Sequence, residues 1–433
     1  MTTLRKAPAP PSLPRLRAAC YSAAVAVLAA ACAVPPALAE LGGPEAVRLS
    51  PPEPTGPHPV GRATMHLIDE DRADPWNGQQ EREIMTSLWY PAAAEEGEPA
   101  PYVSDAMAEQ LSLQLEQAGI SRGAVDIEGS EANATVGSGL AGEVGELPTV
   151  LYSPGMEVSR HQSTAQAEEL ASRGYLVVTM DHTYEGKAVE FPDGRVKKQD
   201  LPEEQEFTET YRTAVKARKA DARLVLDSLE RLAGGDNPDA ANRDLPEGLG
   251  EAVDLSRIGM FGHSAGGFTA AEVMLTDERV DAGINLDGSL AYHVGDEEWG
   301  ESTTRGVERP FLILGAGTVS NSGGSPHTSR NSPDWAMFRD ASPETLELYM
   351  ERAEHMSYLD TQWILPQLDE RLRPDSPSWD DGMRASVGTI GPEASVAAQR
   401  AYITAYLDEH VRGVERPLLD GPSDEHPEVE FVE

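Results

Sequence analysis

The chain has 433 residues but two cysteines, six lysines and only 6% aromatic residues. Cys20 and Cys32 both fall in an N-terminal stretch that reads as a removable leader, so the remaining chain is expected to hold neither disulfide nor thiolate metal site and to rely on packing. Positive charge is scarce as well: 35 Lys and Arg stand against 73 Asp and Glu, a net charge of −38. Such a surface repels nucleic acid and anionic lipid headgroups, and neither is expected as a partner. The sequence has no internal repeat, heptad run, Gly-rich phosphate loop ending in Lys, or His-Glu-x-x-His, and no metal or organic cofactor is expected. The acidic clusters at Asp69-Glu70-Asp71 and Asp236 to Asp239 lack calcium-loop spacing and read as solvated surface. Asn133-Ala134-Thr135 is a glycosylation sequon by pattern alone.

The leader, residues 1–39, opens with Arg5, Lys6, Arg15 and Arg17, continues in an uncharged Ala-rich run from Ala18 to Val34, and ends in Ala37-Leu38-Ala39, small residues suited to a signal peptidase. The run is shorter and poorer in Leu than the ~20 strongly apolar residues of a spanning helix. Lipid attachment at Cys32 is disfavoured because Ala29-Ala30-Ala31 lacks the usual preceding Leu. Cleavage leaves 31 basic and 73 acidic residues, a charge of −42. The expectation is a secreted protein without stable membrane insertion, taken as a monomer.

A Pro- and Gly-rich lead-in covers residues 40–61, and one α/β domain is expected over 62–414, followed by a loosely ordered acidic tail over 415–433. Arg62 to Ile68 and Arg82 to Tyr90 alternate as an antiparallel opening. Ser104 or Asp105 caps a helix to Ala118 whose face carries Met107, Leu111 and Leu115, a candidate flap or interfacial surface as well as a packed face. Gly123 to Glu146 reads as loop. Strands then alternate with helices, the sign of a parallel sheet: strands at Leu147 to Tyr152, Tyr175 to Met180, Arg257 to Phe261, Ala282 to Leu286, Pro310 to Leu314 and Thr345 to Met350, and helices at His161 to Ser172, Glu203 to Leu232 and Ala394 to Val411. Phe191 to Arg195 forms the turn of a small hairpin.

Chemistry concentrates at Gly262-His263-Ser264-Ala265-Gly266-Gly267, between the strand Ile258 to Phe261 and the helix Phe268 to Leu275. A Gly-x-Ser-x-Gly string is weak alone in a chain rich in both residues. At a sharp strand-to-helix turn it is strong, because that turn exposes a serine hydroxyl and leaves no room for side chains two residues to either side. Ser264 is the candidate nucleophile. A serine needs a base and an orienting carboxylate, and on an open parallel sheet both belong at the carboxyl ends of strands. Asp287, ending the next strand, is favoured over Asp334. His355, following the strand Thr345 to Met350, is the candidate base; His161, His182, His293 and His327 are rivals on loops or a helix start. Candidate oxyanion amides are those of Ala265, after the nucleophile, and Met156, in the Pro-Gly turn Ser153-Pro154-Gly155-Met156.

With these residues placed, the chain resembles the α/β-hydrolase superfamily, and within it the plasma-type platelet-activating-factor acetylhydrolases with related bacterial lipases and esterases. The likeness runs from about Arg82 to Leu368 and rests on Ser87-Leu88-Trp89-Tyr90-Pro91, Ser153-Pro154-Gly155-Met156, Gly262 to Gly267, Gly283 to Gly288 and His355 to Asp360. It implies an α/β-hydrolase fold, mostly parallel with an antiparallel N-terminal start and helices on both faces, and a serine carboxylic-ester hydrolase acting through an acyl-enzyme on short-chain or lipid esters. It also implies nucleophile Ser264, acid Asp287, base His355, and oxyanion amides on Met156 and Ala265. The family usually has His where this chain has Pro154, which bears on the shape of the oxyanion loop but leaves the Met156 donor in place. A non-catalytic binding protein on this fold, or a peptidase or lactone hydrolase with the same triad, is the alternative.

The excess of acid predicts self-repulsion that salt relieves. Melting temperature and activity should both rise between zero and molar NaCl, as expected of a protein that works in a saline or wet extracellular setting; flat profiles in the two measurements would remove that inference.

Overall fold

The computed structural model describes residues 46–93, 97–142, 144–203, 205–317, 325–374 and 377–433. The expected leader, with Cys20 and Cys32, lies outside them. In chain order the elements are β1 (Val60–Ala73), β2 (Glu81–Pro91), β3 (Glu98–Pro101), α1 (Asp105–Gln117), β4 (Glu131–Val136), β5 (Leu147–Ser153), α2 (Thr164–Ser172), β6 (Leu176–Met180), β7 (Ala188–Glu190), β8 (Val196–Lys198), α3 (Phe207–Ala233), α4 (Leu249–Ala252), β9 (Val253–His263), α5 (Ala265–Thr276), β10 (Ala282–Leu286), β11 (Ala291–His293), β12 (Glu298–Trp299), α6 (Glu301–Arg305), β13 (Phe311–Ala316), α7 (Pro333–Ala341), β14 (Thr345–Met350), α8 (Thr361–Leu372), α9 (Pro377–Val387), α10 (Pro392–His410) and β15 (Val429–Phe431).

Among the described residues eleven strands form one sheet, in the order β15-β14-β13-β10-β9-β5-β6-β2-β1-β4-β3. The run from β14 through β6 is parallel throughout. β1 and β2 pair antiparallel, and β2 joins the parallel part through an antiparallel pairing with β6. This is the α/β-hydrolase architecture that the resemblance implies. Interior strands such as β5, β6, β10 and β13 are buried along their whole length, hence their continuous apolar runs rather than alternation.

Helices cover both faces. On one, the apolar stripe of α3 (Val215, Ala222, Val225, Leu229) packs with Phe268 and Val273 of α5 and Trp335 and Phe338 of α7. On the other, Ala167 and Leu170 of α2 meet Tyr402, Ile403 and Leu407 of α10. A third cluster joins Val47 and Leu49 of the lead-in, Met107 and Ala108 of α1, and Trp363 and Leu368 of α8, with Leu111 and Leu115 packed partly buried against it. The apolar face of α1 is thus used in packing.

Three expectations differ from the structure. Within the segment read as loop lies β4, built from Glu131-Ala132-Asn133-Ala134-Thr135-Val136, whose small residues give little strand signal; pairing with β1 on one side and β3 on the other supplies what propensity does not. The amide of Asn133, the sequon residue, donates to the carbonyls of Pro51 and Pro52 and to Glu168 at 2.9–3.3 Å, strapping the lead-in down; a glycan there would displace these bonds. Asp239 is buried rather than solvated, accepting the His66 N–H at 3.0 Å and pairing with Arg243. The tail is not loose at residues 429–431: β15 pairs antiparallel with β14, and Val429 and Val432 are buried. Helices α8 and α9 also escape the pattern, α8 because Pro366 interrupts it.

Truncation after Glu428 should lower stability by about 3 kcal/mol or more, because the burial of Val429 and Val432 is lost and the edge of β14 is exposed. Urea unfolding of the full and shortened chains measures it.

Candidate active site

The sheet delivers the candidate residues to one edge. Ser153 lies opposite Gly262 and Gly262 opposite Asn285, so the loop after β5, the turn after β9 and the loop after β10 leave the sheet side by side. β13 and β14 come next in order, and His355 follows the end of β14.

Ser264 sits between β9 and α5 at φ 54 and ψ −121, outside the usual regions for an L-residue and worth roughly 1–3 kcal/mol of strain. The turn is held by its neighbours. The Ser264 N–H donates to the Leu286 carbonyl at 2.9 Å, and its own carbonyl accepts the N–H groups of Gly267 and Phe268 at 3.0 and 3.2 Å. A Cβ on Gly262 would fall 2.2 Å from the carbonyl carbon of Gly266, and one on Gly266 would fall 1.8 Å from the Ser153 oxygen. The two glycines are required by close backbone approach, as the motif predicts.

Asp287 is fully buried, at φ 56, and every contact of its carboxylate is directed. Oδ2 accepts His355 Nδ1–H at 2.6 Å. Oδ1 accepts the Ala316 N–H at 2.9 Å and His327 Nδ1–H at 2.8 Å. Burial works against its ionisation, but the charge and hydrogen bonds of the two histidines outweigh it and hold the carboxyl well below its usual range. The Asn285 side chain braces the same loop, accepting the Gly288 N–H at 2.8 Å and donating to the Gly288 carbonyl at 2.7 Å.

The His355 side chain is 29% exposed, and Ser264 is also partly open, so the edge is reachable from solvent while the acid beneath is not. Among the described residues no hydrogen bond joins the Ser264 hydroxyl to His355 in this structure; bonds of this kind commonly tighten only as substrate binds. His263 connects the two stretches, its ring 4.5 Å from that of His355 and its Nε2–H donating to the His355 carbonyl at 2.9 Å. Burial, aided by nearby His355, pushes the His263 imidazole down to about 3, which makes it a spacer of fixed protonation and a poor base.

The remaining candidates separate cleanly. Asp334 accepts from the Ser289 hydroxyl and the Leu290 N–H, both at 2.8 Å, and braces the loop after Asp287. His161 and His182 are buried away from Asp287, His182 between Ser153 and Asp221, while His293 pairs with Asp296. Met156 and Ala265 lie on the two turns that flank the serine, and among the described residues their N–H groups have no acceptor. His327, a rival base by position, is instead a second donor to Asp287, buried with its ring centroid 4.0 Å from that of Trp335. Only its place after β13, beside Asp287 in the sheet order, hinted at this.

Over residues 46–316 the chain matches the family model for platelet-activating factor acetylhydrolase, isoform II. The chain belongs to that family. This acetylhydrolase-family chain is 28% identical over 422 residues to a probable 1-alkyl-2-acetylglycerophosphocholine esterase of Arthroderma benhamiae, an alignment covering 88% of this chain and 93% of the relative. It is 27% identical over 190 residues to the platelet-activating factor acetylhydrolase of Gallus gallus, covering 39% of this chain and 44% of the relative. Among solved structures, a ferulic acid esterase from Streptomyces cinnamoneus superposes with a TM-score of 0.67 at 34% identity, covering 88% of this chain and 98% of that one. The family member described here is accordingly an enzyme of the carboxylic-ester hydrolase class.

The buried His327–Asp287 pair has a pH signature. Burial opposes the charged imidazole, but the Asp287 carboxylate prevails and raises His327 above the ordinary value of 6.5. A group raised on folding stabilises fully below its unfolded value, and that contribution is lost as pH rises through the folded value. The stability margin of wild type over His327→Gln should therefore be largest below pH 6.5 and shrink at higher pH, and kcat of the variant should fall about tenfold, equivalent to about 1.4 kcal/mol. Urea unfolding across pH and ester kinetics test both.

Proposed function

We propose that the chain is a secreted serine esterase working through an acyl-enzyme, with Ser264 as nucleophile, His355 as base, Asp287 as orienting acid, and the Met156 and Ala265 amides as oxyanion donors. The observation that carries the reading is the 2.6 Å bond from His355 to a buried carboxylate, at the sheet edge where Ser264 holds its strained turn. A carboxylate on Nδ1 fixes the tautomer that leaves Nε2 free to accept a proton. His355 takes the Ser264 proton as the hydroxyl oxygen attacks the ester carbonyl, and the amides at the start of α5 and in the turn after β5 stabilise the negative oxygen. Collapse expels the alcohol with the proton from His355. Water, activated by the same histidine, then adds to the acyl-enzyme and releases the acid and the free serine. These steps use only protein groups.

For substrate, the negative surface disfavours anionic membranes, and among the described residues no helix is long and apolar enough to cross one. Esters with a short or compact acyl group are the class proposed. The named activities of the relatives, on an acetyl-bearing glycerophosphocholine and on ferulic acid esters, supply two representatives. Secretion rests on the leader pattern in residues 1–39.

Hydrolysis of p-nitrophenyl esters from acetate to palmitate, of methyl ferulate and of a 2-acetyl glycerophosphocholine, each beside Ser264→Ala, is the test. Expected are rates that fall with acyl length and a loss on the order of 10⁴-fold or more in kcat for the variant. Amide turnover exceeding ester turnover would replace the reading by a peptidase, and equal inactivity of both chains on every ester by a binding protein.

A further inference from the structure

The turn that carries Met156 has little of its own to hold it. The Gly155 carbonyl accepts the Val158 N–H at 3.2 Å, closing a four-residue turn in which Glu157 stands at φ 65. The turn lies beyond the end of β5, where ladder bonds to neighbouring strands stop. Its support comes from behind, from a buried arginine in the middle of α3.

Arg218 is 1% exposed and bonded through every nitrogen of its fork. Nη1 donates to the Pro154 carbonyl at 2.5 Å and lies 3.4 Å from the Ser153 hydroxyl, while Nη2 donates to the Gly155 carbonyl at 3.0 Å. Nε donates to Glu185 at 2.7 Å, so the guanidinium plane is fixed on the far side too. The Ser153 hydroxyl bonds His182 Nε2 at 2.9 Å, His182 Nδ1 bonds Asp221 at 2.9 Å, and Arg82 holds Asp221 with bonds of 3.0 and 2.6 Å. The Ser153, His182 and Asp221 side chains are linked in the order of a catalytic triad, yet all three are buried and face the turn from inside, so they act as scaffold.

Within a trans peptide unit the C=O and N–H point in opposite directions, and no cis peptide occurs among the described residues. Anchoring the Gly155 oxygen on Arg218 therefore aims the Met156 N–H the other way, out of the network. We propose that Arg218 is a positioning residue for the ester hydrolysis: by gripping the carbonyls of Pro154 and Gly155 it sets the Met156 N–H as an oxyanion donor. The inference rests on the oxyanion reading of Met156 given above. A cationic donor on the Gly155 oxygen also polarises that amide, which makes its N–H a stronger donor to a negative oxygen. Lysine lacks the planar fork and holds one direction where arginine holds several, so the two residues are not exchangeable here.

The test is Arg218→Lys and Arg218→Gln beside wild type and Ser264→Ala, with p-nitrophenyl acetate and an alkylboronic acid that forms a tetrahedral adduct on serine. In a folded variant the expected result is a fall in kcat on the order of 10²-fold, the effect of losing one oxyanion donor. KM should stay within about threefold, because the carbonyl gains its full charge only in the transition state, and boronate affinity should fall in parallel with kcat. A purely structural arginine would lower the melting temperature without this split. A folded variant with kcat within about threefold of wild type, or one that loses kcat while keeping boronate affinity, overturns the proposal.

If neither variant folds, a crystal structure of the wild-type boronate adduct decides. Arg218 on both carbonyls with an adduct oxygen at the Met156 N–H supports the clamp; Arg218 withdrawn from them refutes the clamp alone. An adduct oxygen bound away from Met156, or activity surviving in Ser264→Ala, refutes the underlying reading and the clamp with it.

Discussion

The carbonyl of Ser153 occupies the place where a methyl group on Gly266 would have to go, and the backbone of Gly266 in turn fills the space above Gly262. Three chain stretches, the end of β5, the end of β9 and the start of α5, meet there with no side chain between them. The contact lets the sheet end, turn and restart as a helix within the length of one serine, and it puts the turn after β5 beside that serine. Ser264 keeps a conformation that costs roughly 1–3 kcal/mol because these contacts leave its backbone no alternative. Displacing any of the three stretches would move Ser264, the Asp287 loop bonded to it through Leu286, and the turn bearing Met156 together.

The chain's scarcity of lysine and wealth of arginine find a use behind this contact. Arg82, Arg160 and Arg218 are buried, each bonded to at least one acidic side chain and to a further oxygen. A planar fork satisfies several acceptors at once, which an ammonium on a flexible stem does less well. Buried ion pairs of this kind contribute little net stability, since desolvation offsets most of their attraction. Their contribution is directional: they fix carbonyls and carboxylates that would otherwise be free to turn.

The site was more legible than its supports. That Ser264, Asp287 and His355 lie together at one edge could be read because a parallel sheet gathers the residues that follow its strands there, so position after a strand substitutes for knowledge of contact. His327 and Arg218 could not be read that way. Arg218 lies in the middle of α3, where the periodic pattern announces a helix facing the core and nothing announces which core residue grips a distant carbonyl. His327 lies on a loop, where sequence gives no orientation. β4 and β15 were missed for a related reason: both are short strands whose pairing partners supply the stabilisation, and neither alternates strongly enough to show without them. The reading of Asp239 as surface failed because its partner, the His66 N–H, comes from a strand far away in sequence.

The pairing of β15 with β14 also orders events in time. A growing chain emerges from its N-terminus, so the strand leading to His355 is made well before residues 429–431 exist to cover its outer edge. Until they arrive, β14 presents unpaired backbone groups to its surroundings, and the residues that follow it toward His355 hang from an unfinished sheet. The last piece of this sheet is thus supplied after every candidate catalytic residue has been made.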